Sequence, residues 1–192
     1  YEALVARFRA SSQPAALKVQ PAPEPDPEAD DAAIDVEGFR AAWRGLQDTH
    51  DFFGLLRKFK VSRTQALRLG PPELLRRLDN PAIDRALRAA SAQQLPLMLF
   101  VASRGCIQIH TGPTEKIVPT GPWLNVLDPD FNLHLKLEDV AQTWVVQKPT
   151  TDGVVTSLEL FDAQGRNLLL VFGKRKPGIP EQQAWRDLVA AL

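Results

Sequence analysis

The chain has 192 residues, 44% hydrophobic and 24% charged, which suffices for one domain with its own core and excludes a disordered or collagen-like chain. Lys and Arg number 23 and Asp and Glu also 23, so the net charge is zero and no global positive field attracts nucleic acid or an anionic membrane. Cys106 is the only cysteine, which excludes an intrachain disulfide framework and a cysteine-cluster metal site and points to a reducing compartment.

In chain order, Tyr1, Leu4, Val5 and Phe8 are spaced as on one helix face and predict a short helix over residues 1–9. Trp185, Leu188 and Val189 repeat that pattern near the other end, so residues 1–14 are expected to close a preceding repeat. The start at Tyr1, with Met98 as the only methionine, points to sequence upstream. No run reaches the roughly 18 apolar residues of a membrane span and no signal-peptide pattern opens the chain, so a cytoplasmic protein without membrane contact is expected. Residues 15–35 read as a linker: every second residue from Pro21 to Pro27 is proline, and residues 21–37 hold acids but no Lys or Arg. Residues 36–192 are then the second copy of the repeat.

Within that copy, Val36, Phe39, Trp43 and Leu46 predict an amphipathic helix. Asp48 or Thr49 can cap a second helix carrying Phe52, Phe53, Leu55, Leu56 and Phe59, and Ser62 a third that Gly70-Pro71-Pro72 stops. Helical patterns also cover residues 73–78 and 83–93, so 36–95 reads as a helical layer. From 97 to 173 the texture becomes β-rich, with runs at 97–103, 106–110, 123–127, 131–137, 143–147, 154–161 and 168–172, spaced as an antiparallel meander. Arg104-Gly105 and Ala163-Gln164-Gly165 read as tight connections, Asp128-Pro129-Asp130 and Thr151-Asp152-Gly153 as turns. Residues 180–192 return to helix. The expected fold is α+β, a saddle-like antiparallel sheet with an N-terminal helical layer and a C-terminal helix.

Nucleotide-loop, zinc-protease, serine-hydrolase and CxxC signatures are absent, which leaves three histidines. His110 and His134 lie on the polar faces of alternating strands and read as solvated or hydrogen-bonded. His50 starts a helix among Phe52, Phe53 and Leu56, and one turn on stands Gly54, whose missing side chain leaves room for a flat ring system with Phe53 at its edge. A larger residue at 54 is expected to obstruct it. One axial histidine is enough to hold haem, because the porphyrin supplies the other nitrogens. The plainer reading is a helix-start histidine bonded to a nearby carboxylate or carbonyl. Arg57, Lys58, Lys60, Arg63, Arg68, Arg76 and Arg77 form a basic cluster that is either a patch or a solvated helix face. Lys148 and Lys174-Arg175-Lys176 stand at strand ends, where cations can clamp carboxylates.

Five stretches carry a resemblance: Thr49-His50-Asp51-Phe52-Phe53, Val61-Ser62-Arg63-Thr64-Gln65-Ala66, Gly121-Pro122-Trp123-Leu124-Asn125-Val126-Leu127-Asp128, the run from Lys148-Pro149-Thr150-Thr151-Asp152-Gly153 to Ser157, and Phe172-Gly173-Lys174-Arg175. From residue 36 to 192 the sequence resembles the C-terminal half of bacterial cytoplasmic haem-uptake proteins of the HemS/ShuS/PhuS type. That resemblance implies haem b between the sheet and the helical layer, His50 as the iron ligand, and propionate contacts from Arg63, Lys148 and Arg175. It also implies a distal arginine from an N-terminal half that this chain lacks. Asp48 or Asp51 would hold the second ring nitrogen of His50.

Two functions then compete: a haem carrier delivering to a haem oxygenase or other acceptor, and an enzyme that opens the porphyrin with oxygen and a reductant to release iron. No acid or base in the sequence decides between them. A homodimer that replaces the missing half is a further expectation, and nucleic acid and membrane are not expected partners.

Overall fold

The computed structural model describes residues 1–13, 15–16, 18–21, 27–103 and 105–192. After α1 (Glu2–Phe8), three helices follow: α2 (Val36–Arg44), α3 (Asp51–Phe59) and α4 (Arg63–Leu69). The Asp35 carboxylate accepts from Gly38 N and caps α2; a Cβ on residue 38 would press on that carboxylate and make it turn aside. Lys60, with φ of 56°, closes α3 in the left-handed conformation, and Ser62 caps α4 through Gln65 N at 3.0 Å, as expected.

The strands are β1 (Leu75–Leu78), β2 (Leu97–Ala102), β3 (Ile107–Gly112), β4 (Ile117–Thr120), β5 (Trp123–Asp128), β6 (Phe131–Lys136), β7 (Gln142–Thr150), β8 (Gly153–Phe161) and β9 (Asn167–Gly173). Helix α5 (Ala82–Ala92) precedes β2, and α6 (Gln183–Ala190) follows β9. All pairings are antiparallel. The α+β expectation holds, with the strands divided between two sheets. One is ordered β1-β7-β8-β9-β2-β3 and the other β4-β5-β6. The meander is therefore local, in β7-β8-β9 and in β4-β5-β6, and the β2-β3 hairpin joins the larger sheet beside β9.

Residues 73–78, expected to be helical, instead form a short 3-10 turn over Pro72–Leu74 and then β1. Leu75 and Leu78, three apart, mimic a helix face, but pairing with Val146 and Thr143 along the edge of β7 overrides that local signal. Strand β4 went unread because Pro119 sits in it; proline is tolerated there because β4 is an edge strand. The turns at Thr151-Asp152 and Pro129-Asp130 join paired strands as expected. Arg104, residue 14 of the expected repeat end, and residues 17 and 22–26 of the expected linker lie outside the described residues.

Paired residues share a face, so the register divides the six-stranded sheet cleanly. Leu97, Leu99, Leu158, Leu160, Leu169 and Val171 face α5 and α6 in one core with Ile83, Leu87, Trp185 and Leu188. A Cβ on Gly173 would meet the Trp185 ring at 2.6 Å, so that indole packs directly on backbone. On the opposite face, α2, α3 and α4 cover only the β7-β8 side, where Val146 and Phe161 join Phe39, Trp43, Phe52, Leu55 and Leu67. The β9-β2-β3 side of that face carries Leu170, Phe172, Met98, Phe100 and Ile107 beside an open cleft.

Candidate haem-binding cleft

The cleft measures about 390 Å³ and lies between the start of α3 and the uncovered strands. That volume is within the roughly 300–1,000 Å³ usual for a ligand pocket. Its floor and one wall are apolar: Met98, Phe100, Val155, Leu170 and Phe172 come from the sheet, and Phe52 and Phe53 from α3. Phe100 and Phe172 meet edge to face with centroids 5.4 Å apart, which fixes the floor. Phe53 and Ile107 remain 60% and 52% exposed at the mouth, an arrangement that keeps apolar surface in water unless something flat covers it.

His50 stands at the mouth as the residue before α3, with 91% of its side chain exposed. Its Nδ1 lies 2.6 Å from Asp48 Oδ1, which also accepts from the His50 backbone N–H at 2.8 Å. Of the two acids expected to serve this role, Asp48 does so. These two bonds, with help from the charge of Arg175, hold the Asp48 carboxyl below its ordinary range. An acceptor on Nδ1 places the proton there and leaves Nε2 as the free lone pair, the arrangement a metal-ligating imidazole needs. Among the described residues no group of three or more His, Cys, Asp and Glu could form a metal cage, so His50 offers a single ligand.

Three cations line the same cleft. Arg63, from the first turn of α4, donates Nε and Nη2 to the two oxygens of Glu159, both at 2.8 Å. Lys148, on β7, donates to Glu159 Oε1 at 2.8 Å and lies over the Phe52 ring at 4.8 Å. Glu159 is fully buried, and the two cations hold its carboxyl well below the usual range despite the burial. Burial, together with the charge of Arg63, pulls Lys148 below the ordinary lysine value, and Glu159 opposes that shift. Arg175 reaches the cleft from the segment after β9, held by Asp152 Oδ2 at 3.2 Å, and its buried Nε has no partner among the described residues.

Of the six residues expected at the site, the fold thus brings His50, Phe53, Arg63, Lys148 and Arg175 to one cleft. Gly54 is not among its lining residues, and a Cβ there would meet nothing within 4 Å. The broad basic cluster disperses: Arg68 pairs with Glu28 and Asp31, and Arg76 donates to Val189 O. Glu28 and Asp31, in the stretch expected to be a free spacer, are thus docked on α4. His134 bonds Asn125 on an exposed strand face, as expected, and His110 is hydrogen-bonded, to Pro113 O, but it stacks on Phe131 on the face it shares with buried Leu99, while the alternate Ile107 and Ile109 are the exposed side chains. Glu159 escaped the sequence reading, although its signal was there: it is the only charge in the run from Val154 to Phe161, and a lone acid in an apolar strand needs a buried cation.

Residues 60–192 match the family of the haemin-degrading HemS.ChuX domain. The chain belongs to that family. Over its full length it is 42% identical to the hemin transport protein HmuS of Yersinia pestis, of which it covers 55%. Apo-PhuS, a haem-binding protein from Pseudomonas aeruginosa, superposes with a TM-score of 0.94 at 46% identity, matching all of this chain and 56% of PhuS. ChuS, an E. coli haem oxygenase, matches with a TM-score of 0.83 at 40% identity, again over all of this chain and 56% of ChuS. The chain therefore spans about half the length of these relatives. The HemS/ChuX match begins at Lys60, so Arg63, Lys148, Glu159 and Arg175 fall inside it and His50 ahead of it.

Proposed function

We propose that this HemS/ChuX-family chain binds haem b in the cleft and passes it to an acceptor such as a haem oxygenase. The observation that carries this reading is the convergence of an exposed imidazole, an apolar wall and three cations, drawn from α3, α4, β7 and the segment after β9, on one cleft. His50 Nε2 would ligate iron, with Asp48 fixing the ring. Met98, Phe100, Leu170 and Phe172 would exclude water from one side of the ring system, and Arg175, Arg63 and Lys148 would face the propionates. Such binding needs no shaped distal pocket, which suits a carrier. The proposed division is residues 1–14 as the end of a preceding repeat, 15–35 as linker and 36–192 as the haem-binding repeat; a partner half, or a second copy of the chain, would cover the exposed side of the bound disc. A single exposed Cys106 suits a cytoplasmic setting.

The likeness to ChuS, a haem oxygenase 40% identical over this chain, favours a second reading: a haem-degrading enzyme. The two separate by product. With reductant, oxygen and catalase present, a carrier leaves its haem intact, whereas an enzyme yields an open tetrapyrrole and a one-carbon product. Arg175→Glu tests the clamp: haemin affinity should fall about tenfold with histidine ligation retained in the spectrum. Unchanged affinity removes Arg175 from the site.

A further inference from the structure

We propose that Glu159 is a positioning residue that fixes Arg63 and Lys148 as one rigid, singly positive group in the wall of the cleft. The proposal rests on the haem-binding reading and goes beyond it by assigning the charge of the site to a residue that lines no part of it. Glu159 accepts Nε and Nη2 of Arg63 on separate oxygens, Lys148 Nζ on Oε1, and Ser157 Oγ on the same Oε1 at 3.1 Å. Each of its two oxygens is therefore engaged. Arg63 Nη1 has no hydrogen-bond partner among the described residues and is the edge left for a ligand carboxylate.

The reason a buried acid is needed is electrostatic. Lys148 is 3% exposed and packed on the Phe52 ring, with a second cation beside it; an apolar site holds two adjacent positive charges only if an anion lies between them. The charged and titratable groups facing Lys148 are Arg63 from α4 and Glu159 from its own sheet. Arg175 and His50 also line the cleft, and Asp48 is bonded to His50. Two cations and one carboxylate leave one positive charge, enough to favour a ligand carrying an anionic group against that wall. Without the carboxylate, Lys148 gives up its proton more readily, and the charge of the site becomes a function of pH.

The test compares haemin with haemin dimethyl ester, which keeps the ring and iron but lacks the carboxylates, on the full chain and on Glu159→Gln. Wild type should prefer haemin about tenfold over the ester. In Glu159→Gln the alkaline limb of haemin binding should move to lower pH, the preference should shrink toward unity on the alkaline side, and ester affinity should stay unchanged. The double variant Lys148→Met, Glu159→Gln removes the titrating group and should lose that pH dependence. A folded double variant beside an unfolded Glu159→Gln also supports the proposal, since it shows the acid serving the lysine. Wild-type pH profile and preference in Glu159→Gln overturn it, as does failure of both variants to fold, which would make Glu159 a general fold residue. Failure of the wild type to bind haemin is a separate outcome that removes the haem reading itself.

Discussion

Under α5 and α6 the six-stranded sheet presents mainly apolar side chains, with Leu97, Leu158, Leu160 and Val171 fully buried and the buried Thr156 bonded to Glu181 at the edge of that core. The other face is built differently. Half of it is closed by α2, α3 and α4 around Trp43 and Phe52, while the other half is left bare and bordered by a buried charged triad. Burying an apolar face needs no partner chemistry, whereas burying Lys148 and Glu159 is tolerable only as a bonded set. The comparison separates the face that supplies stability from the face that can be spent on a ligand.

The difference should appear first in stability. Trp185→Ala removes a fully buried indole whose Nε1 donates to Thr156 O, and it should cost about 3–5 kcal/mol, read as a fall in the denaturation midpoint. Breaking the triad from one side by Lys148→Met should cost about 3–5 kcal/mol at most, because Arg63 still compensates Glu159, whereas the double variant with Glu159→Gln should recover much of that. A loss equal to that of Trp185→Ala with no recovery would mean that the two faces do not differ as described.

Acid sharpens the comparison. Glu159 is held below its ordinary value of 4.5, so its contribution is complete above that value and is lost as the pH falls through the lower folded value. Acid titration followed by fluorescence should therefore loosen the cleft face, and Glu159→Gln should flatten the response. The smallest effect is expected at Gly54, where added bulk meets no neighbour: Gly54→Ala should stabilise α3 by about 0.5–1 kcal/mol in thermal melts. A concurrent loss of haemin affinity would place the residue against the ligand after all.

Much of this was legible in the sequence, and the failures have physical causes. The Ser62 cap, the strand runs and the turn at Thr151-Asp152 are local signals, and the α+β class followed from them; the cap expected of Asp48 or Thr49 on α3 is not made, because His50 precedes that helix without a side-chain cap bond and Asp48 is taken up by His50. His50, Arg63, Lys148 and Arg175 could be named as candidates through residue chemistry and the family resemblance. Lys148 and Glu159 are 11 residues apart across the β7-β8 hairpin, but that Arg63 joins them could not be read, because α4 reaches Glu159 only through tertiary packing across 96 residues of sequence. The order of the larger sheet, with β1 on β7 and β2 on β9, is long-range in the same way. In α1 the pattern of α6 recurs, yet Tyr1 and Leu4 are 99% and 62% exposed where Trp185 is fully buried, so a shared pattern does not carry its burial with it.

The central claim is that this one cleft holds haem through His50. Haemin titration followed by absorbance, with wild type and His50→Ala side by side, tests it most directly. The expected result is saturation at one haem per chain with a histidine-ligated Soret band that is lost in the variant. Equal binding and an identical spectrum in His50→Ala would contradict it.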